Sequence, residues 1–296
     1  MEHPHTFIRF PGGRVKALSF TFDDGCVQDK WLSERFGQLG LRGTFNLNSG
    51  LFHQPGTDFD SLNIDLFPCK DIQHRMTAEE TVEALDKPYI EIACHGYLHC
   101  DATLLDKPSL VWDLVADRSN LEKLFHRPIT GFAYPQCAFD DTTIEVLKTC
   151  GFEYARSFCD GKFSIPHDLF RLMPTCGFMD PDVSGLTDRF LNYQPTTGLY
   201  YYTSNPAFCN IFAHSYEFVP DAPVRQNHMN DLLEKLAGHD DVWYATNIEV
   251  VRYVKAFNSL VYSLDRETVY NPSCMDIWLY RCGGTAMIPA GGVVSL

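Results

Sequence analysis

Two short stretches carry residue types that can do chemistry. In Leu18-Ser19-Phe20-Thr21-Phe22-Asp23-Asp24-Gly25 an apolar-rich run ends in two adjacent carboxylates and a glycine. This predicts a buried strand over residues 17–22 that delivers charge to its C-terminal end and then turns. Neighbours on a strand point to opposite faces, but a residue just past the strand end escapes that alternation, so Asp23 and Asp24 can both reach one pocket. There they can divide the labour, one binding a metal and the other handling a proton. The plain structural alternative is a strand-to-helix turn in which an Asp caps the next helix.

The second stretch, His95-Gly96-Tyr97-Leu98-His99, follows a predicted strand over residues 89–93. Imidazoles at i and i+4 can share one face of a helical turn with Cβ atoms about 5–6 Å apart, which suits chelation of one ion. With Asp24 as third ligand the set becomes two histidines and a carboxylate with open positions, the pattern of a catalytic metal rather than a structural one. For the pair alone, a solvated turn is the alternative.

These groups need strand ends to stand on, and the chain supplies them in alternation with helices. Apolar spacing predicts helices over 28–39, 109–125, 182–193, 224–237 and 248–257. Thr77-Ala78-Glu79-Glu80 and Thr142-Thr143-Ile144-Glu145 are capping boxes that open two more, the second ending at Gly151. Short strands are predicted at 44–47, 131–134, 153–156, 169–172, 210–213 and 242–245. Residues 48–75 lack periodicity, and such a length suggests a functional loop over one end of the sheet. The alternation implies an α/β barrel or an open parallel sheet, and the absence of G-x-G-x-x-G and P-loop motifs disfavours a nucleotide-binding sheet. After residue 258 the texture changes: 275–280 and 285–288, joined across Cys282-Gly283-Gly284, predict an antiparallel hairpin. The expected division is a barrel over 1–258 with a β appendage over 259–296.

Composition narrows the partners. A formal charge of -14 opposes binding to nucleic acid or an anionic membrane through a general field. No stretch approaches the roughly 20 apolar residues of a membrane span. The first residues show no basic region followed by an apolar run, so the expectation is a cytoplasmic protein. Eleven cysteines without a C-x-x-C pair fit buried thiols in a reducing compartment better than a disulfide framework.

Thr21-Phe22-Asp23-Asp24-Gly25 followed by His95-x-x-x-His99 resembles the polysaccharide deacetylase family with NodB homology, carbohydrate esterase family 4, over roughly residues 15–257. The resemblance implies a distorted (β/α) barrel, a divalent metal that is usually zinc, and removal of acetyl groups from N-acetylated, sometimes O-acetylated, sugars. Carried over residue by residue, Asp24, His95 and His99 hold the metal and Asp23 is the general base for attack of the metal's water. Ile211-Phe212-Ala213-His214 matches the family's late motif and makes His214 the general acid for the leaving amine. In Phe132-Ala133-Tyr134-Pro135-Gln136-Cys137 only the proline of the third motif is kept, and the Gln136 N–H would face the developing oxyanion.

Ala133 stands where the family has an arginine that orients the base. Arg156 and Arg171, both on predicted strands, could replace it, but for each an ordinary surface ion pair is the favoured reading. Gly96 replaces a hydroxyl residue, Asp240 or Asp241 could support His214, and Tyr134 and Trp243 are expected at the sugar. These departures mark a divergent branch. Two other functions fit the same residues less well: hydrolysis of a different amide, such as a cyclic one, and carbohydrate binding without catalysis. Retention of Asp23 and His214 argues against the latter, because binding alone needs neither.

Overall fold

The protein is described by a computed structural model over residues 5–54, 74–195, 204–218, 223–281 and 283–296. In chain order the strands are β1 (Phe7–Arg9), β2 (Lys16–Asp23), β3 (Gly43–Leu47), β4 (Ile90–Cys94), β5 (Gly131–Ala133), β6 (Tyr154–Arg156), β7 (Cys176–Gly177), β8 (Ala207–His214), β9 (Val242–Tyr244), β10 (Val261–Tyr262), β11 (Thr268–Tyr270), β12 (Ile277–Arg281), β13 (Gly284–Ile288) and β14 (Val293–Ser295). The helices are α1 (Asp29–Leu39), α2 (Ala78–Leu85), α3 (Lys107–Phe125), α4 (Asp141–Thr149), α5 (Val183–Leu191), α6 (Val224–Leu236) and α7 (Asn247–Asn258).

β2 is the axis of the fold, buried along its whole length. Its Leu18, Phe20 and Phe22 belong to the main core, where the two phenylalanines pack on Phe36 of α1. The alternate residues Ser19, Thr21 and Asp23 bond instead to Asn247, Asn46 and Arg156, so strand periodicity separates an apolar outer layer from a polar interior. The parallel sheet runs β6-β5-β4-β3-β2-β8-β7. β9 pairs with the first half of β2, at Lys16–Leu18, and β3 with the second half, at Phe20–Asp23. At the seam Leu172 bridges to Arg156 of β6, and four residues on Cys176 pairs with Ile211 of β8. One short segment thus spans both sheet edges, and the result is a distorted (β/α) barrel. Around it the helices pack in the order α5, α6, α1, α2, α3, α4.

The C-terminal hairpin forms as β12 and β13, with Ile277 opposite Ile288. β1, from the other end of the chain, pairs antiparallel with β12. Ile8, Phe10, Tyr253, Ile277, Leu279 and Ile288 share a second core beneath the barrel.

Three local expectations need correcting. Residues 169–171 form a 3-10 turn, not a strand, and the strand that does pair there, β7, has two residues and is too short to show a period. α4 is capped by Asp140, whose carboxylate accepts the Thr143 N–H at 2.7 Å, so the Thr142 box two residues later is not used. α3 begins two residues early because Asp106 caps it and Pro108 suits its first turn. The Thr77–Glu80 box forms as expected. Of the 48–75 stretch, residues 55–73 lie outside the described residues.

Candidate metal centre and active site

The C-terminal ends of β2, β4 and β8 bring the sequence candidates together. Asp23 closes β2 pointing inward, as its alternation with Thr21 requires. Asp24 would point outward if the strand continued, but its φ of 82° is left-handed and turns the carboxylate back toward His99. Nε2 of His99 lies 3.7 Å from Asp24 Oδ1, and the rings of His95 and His99 meet edge to face at 4.8 Å. One ligand atom from each of Asp24, His95 and His99 falls within 4.8 Å of the others.

The histidine loop is not the helical turn that i, i+4 spacing suggested. Gly96 has a φ of +75° and His99 a φ of 57°, both incompatible with a right-handed turn. The loop is held by α3, where Asp113 accepts the N–H groups of Tyr97 and Leu98 and Asp117 accepts those of His95 and Ser49. A Cβ on Gly96 would sit 3.0 Å from Asp113 Oδ2, so with its φ of +75° the position is strained for any side chain.

The donor set fits a divalent ion in protonation as well as position. Nδ1 of His95 donates to the Ala133 carbonyl at 2.9 Å, which leaves the Nε2 lone pair facing the site. Burial lowers the pKa of His95, with Asp23 and Asp24 only partly opposing it. Burial, then His95, lowers that of His99 to about 4. Both rings are therefore neutral near pH 7, the form that ligates. Burial raises the Asp24 carboxyl, but Arg75 foremost, joined by the histidines where they are protonated, brings it well below the usual range, so it is ionised near pH 7.

Asp23 lies beside this set, 3.4 Å from His95 Nε2, and is 2% exposed. Both its oxygens accept from Nη2 of Arg156, and Oδ1 accepts from Asn46 Nδ2 at 2.8 Å. Burial alone would raise this carboxyl; Arg156 foremost, then His95 and His214, carry it below the usual range. Arg156, the strand partner of Ala133, is thus an interior partner of Asp23 and not the surface pair that was expected. Arg171 pairs with Asp168 and Asp141 at the surface, as the ordinary alternative had it.

His214 is the register partner of Asp23 across β2 and β8. Its Nδ1 lies 2.9 Å from Glu217 Oε1. Burial lowers its pKa, but the Glu217 bond and then Asp23 and Asp24 raise it more, so the net shift is upward. The supporting acid is therefore Glu217 and not Asp240 or Asp241. Asp241 pairs with Lys16 and the Asp240 carbonyl accepts from Arg14, both at the start of β2 and hence at the far end of the barrel.

Gln136 and Cys137 are consecutive non-glycine residues at φ 56° and 57°, a strained turn just after β5. Among the described residues no acceptor takes the Gln136 N–H. Tyr134 is not presented to the site: it is fully buried, stacked on Phe139, with its hydroxyl donating to the Phe170 carbonyl. Trp243 pairs with Ala17 and packs on Phe10 and Tyr253, six residues or about 20 Å down β2 from Asp23. Sequence reasoning missed Arg75, Asn46, Asn48 and Glu217. Only Glu217, three residues after His214 where the strand gives way to a turn, left a usable spacing.

Residues 10–155 match the model of the polysaccharide deacetylase family. Over these residues, just under half of its length, the chain is similar to the polysaccharide deacetylases. A putative polysaccharide deacetylase from Mycobacterium smegmatis shares the fold, with a TM-score of 0.56 and 17% identity over 87% of this chain and 96% of that one. The Streptococcus pyogenes deacetylase PplD, in complex with acetate, aligns at 16% identity over 52% of this chain, with a TM-score of 0.42; this chain spans 61% of its length. A family 4 carbohydrate esterase from Streptomyces lividans, also in complex with acetate, aligns at 16% identity over 78% of this chain and 92% of that one, with a TM-score of 0.44. No curated protein matches the chain. Among the described residues no helix is long and apolar enough to cross a membrane.

Proposed function

We propose that this chain is a metal-dependent hydrolase that removes acetyl groups from an N-acetylated sugar or polysaccharide. The observation that carries the reading is the convergence of Asp24, His95 and His99, with Asp23 held beside them but paired to a different cation. These three residues would hold a divalent ion, for which zinc is the first choice given two imidazoles and a carboxylate. Such an ion supplies Lewis acidity at the acetyl carbonyl and lowers the pKa of water.

The chain's own groups would do the rest. Asp23, kept ionised and oriented by Arg156 and Asn46, takes a proton from the attacking water. The Gln136 N–H, in its left-handed turn after β5, would donate to the oxygen that gains charge as water adds to the acetyl carbon. His214, kept protonated by Glu217, gives a proton to the sugar nitrogen as the carbon–nitrogen bond breaks, leaving acetate and a free amine.

Acetate release from N-acetylglucosamine oligomers, measured beside zinc content, tests this. The wild type should bind zinc and release acetate, and Asp23→Ala should keep its zinc while losing turnover. Substantial turnover by Asp23→Ala would remove the assignment of the base. Zinc-independent cleavage of a cyclic amide, with no acetate released, would favour the other hydrolase reading.

A further inference from the structure

Arg75 reaches the site from outside both ligand motifs. Its backbone bridges antiparallel to Cys26, the Val27 N–H donates to the His74 carbonyl at 2.8 Å, and the Met76 N–H donates to Gly25 at 3.1 Å. Residues 74–76 are thereby laced to the turn that carries Asp24. From this base Nη2 donates to Asp24 Oδ1 at 2.9 Å, and Nη1 donates to the Asp24 carbonyl and, at 2.9 Å, to Asn48 Oδ1. Asn48, just past the end of β3 and 1% exposed, in turn donates through Nδ2 to the carbonyls of His95 and Gly96.

One guanidinium and one carboxamide thus join the ends of β2, β3 and β4, the first and last of which carry the candidate ligands. We infer that Arg75 is a positioning residue for the metal centre, holding the Asp24 turn at a set separation from the His95 turn through Asn48. The inference rests on the metal reading above. Asp24 needs such a restraint, because it has left the strand register in a left-handed conformation. A second effect has the opposite sign: a positive charge beside a ligand carboxylate repels a divalent ion. Positioning is the larger effect here, because the contact is a fork that fixes the direction of a carboxylate only 4% exposed, and a neutral amide at this position cannot reproduce that fork.

Competition with a chromogenic chelator on the full chain measures the zinc dissociation constant. Arg75→Gln should bind zinc about 10- to 100-fold more weakly, the usual cost of losing an outer-shell partner. Arg75→Lys, which keeps the charge and loses the fork, should fall between that variant and the wild type. Asn48→Ala should weaken zinc as well and add little on top of Arg75→Gln, because the two act in series. The cobalt(II)-loaded variants should show a changed visible spectrum, which a merely structural residue would not produce, while the metal-free unfolding midpoint reports folding separately. Should Arg75→Gln fail to fold, Asn48→Ala carries the same test. Zinc binding by Arg75→Gln as tight as wild type or tighter would overturn the inference and leave the metal reading standing. Absence of zinc binding in the wild type would overturn both.

Discussion

Replacing Arg156 with methionine keeps the stem of a fully buried side chain and deletes the cation that faces both oxygens of Asp23. The remaining donor to that carboxylate is Asn46, at 2.8 Å, and a single neutral hydrogen bond does not offset the desolvation of a charge. Breaking one half of a buried ion pair costs about 3–5 kcal/mol, a large part of the roughly 5–15 kcal/mol that holds a domain folded. The guanidinium also lies 4.6 Å over the Phe212 ring, and losing that contact adds about 1 kcal/mol. Urea unfolding at pH 7, followed by fluorescence in metal-free protein, measures the sum. Asp23→Asn combined with Arg156→Met should be more stable than Arg156→Met alone, because the stranded charge has gone. A loss below about 1 kcal/mol for Arg156→Met, or a double variant no better than the single one, would refute the claim that Arg156 is the electrostatic support of Asp23.

Two further outcomes follow from groups farther out. The raised pKa of His214 means that its acid form is lost as pH rises through that value, so Glu217→Gln should move the alkaline limb of the kcat profile to lower pH; an unmoved limb would detach Glu217 from the proton transfer. Burial raises the Glu153 carboxyl, but Arg252 and Lys255 bring it down to about 2, so its stabilising share is present above the usual glutamate value and fades as pH falls toward 2. Glu153→Gln should cost about 1 kcal/mol at pH 7, since Arg252 is half exposed, and clearly less at pH 2; a loss of equal size at both pH values would contradict it.

The parts of the molecule that could be read from sequence are those in which a period or a spacing carries the information. The run 17–22 ending in Asp23-Asp24 reads as a buried strand that delivers charge to its C-terminal end, as β2 does; that Ser19, Thr21 and Asp23 face a polar interior emerges only once the barrel is closed. The Asp-Asp-Gly turn, the histidine pair and the strand-end His214 are local and survive in the structure as one cluster. What escaped depends on long-range registration. That Arg156 crosses the interior to Asp23 follows from the barrel closing at the Leu172–Cys176 seam, which no local pattern announces. Trp243 looked like a strand-end aromatic, but β9 pairs only with the first half of β2, so its end lies far from the ends of β2 and β8. Arg75 closes the 48–75 stretch expected to be a functional loop, but nothing local singled it out, because its partners Asp24 and Asn48 are set by the backbone bridge to Cys26.

Diffraction at the zinc absorption edge, from crystals grown with zinc, addresses the central claim most directly. The account predicts a strong anomalous peak among Asp24, His95 and His99, with Asp23 still paired to Arg156. Zinc bound only elsewhere, or no peak between those three side chains, would contradict it.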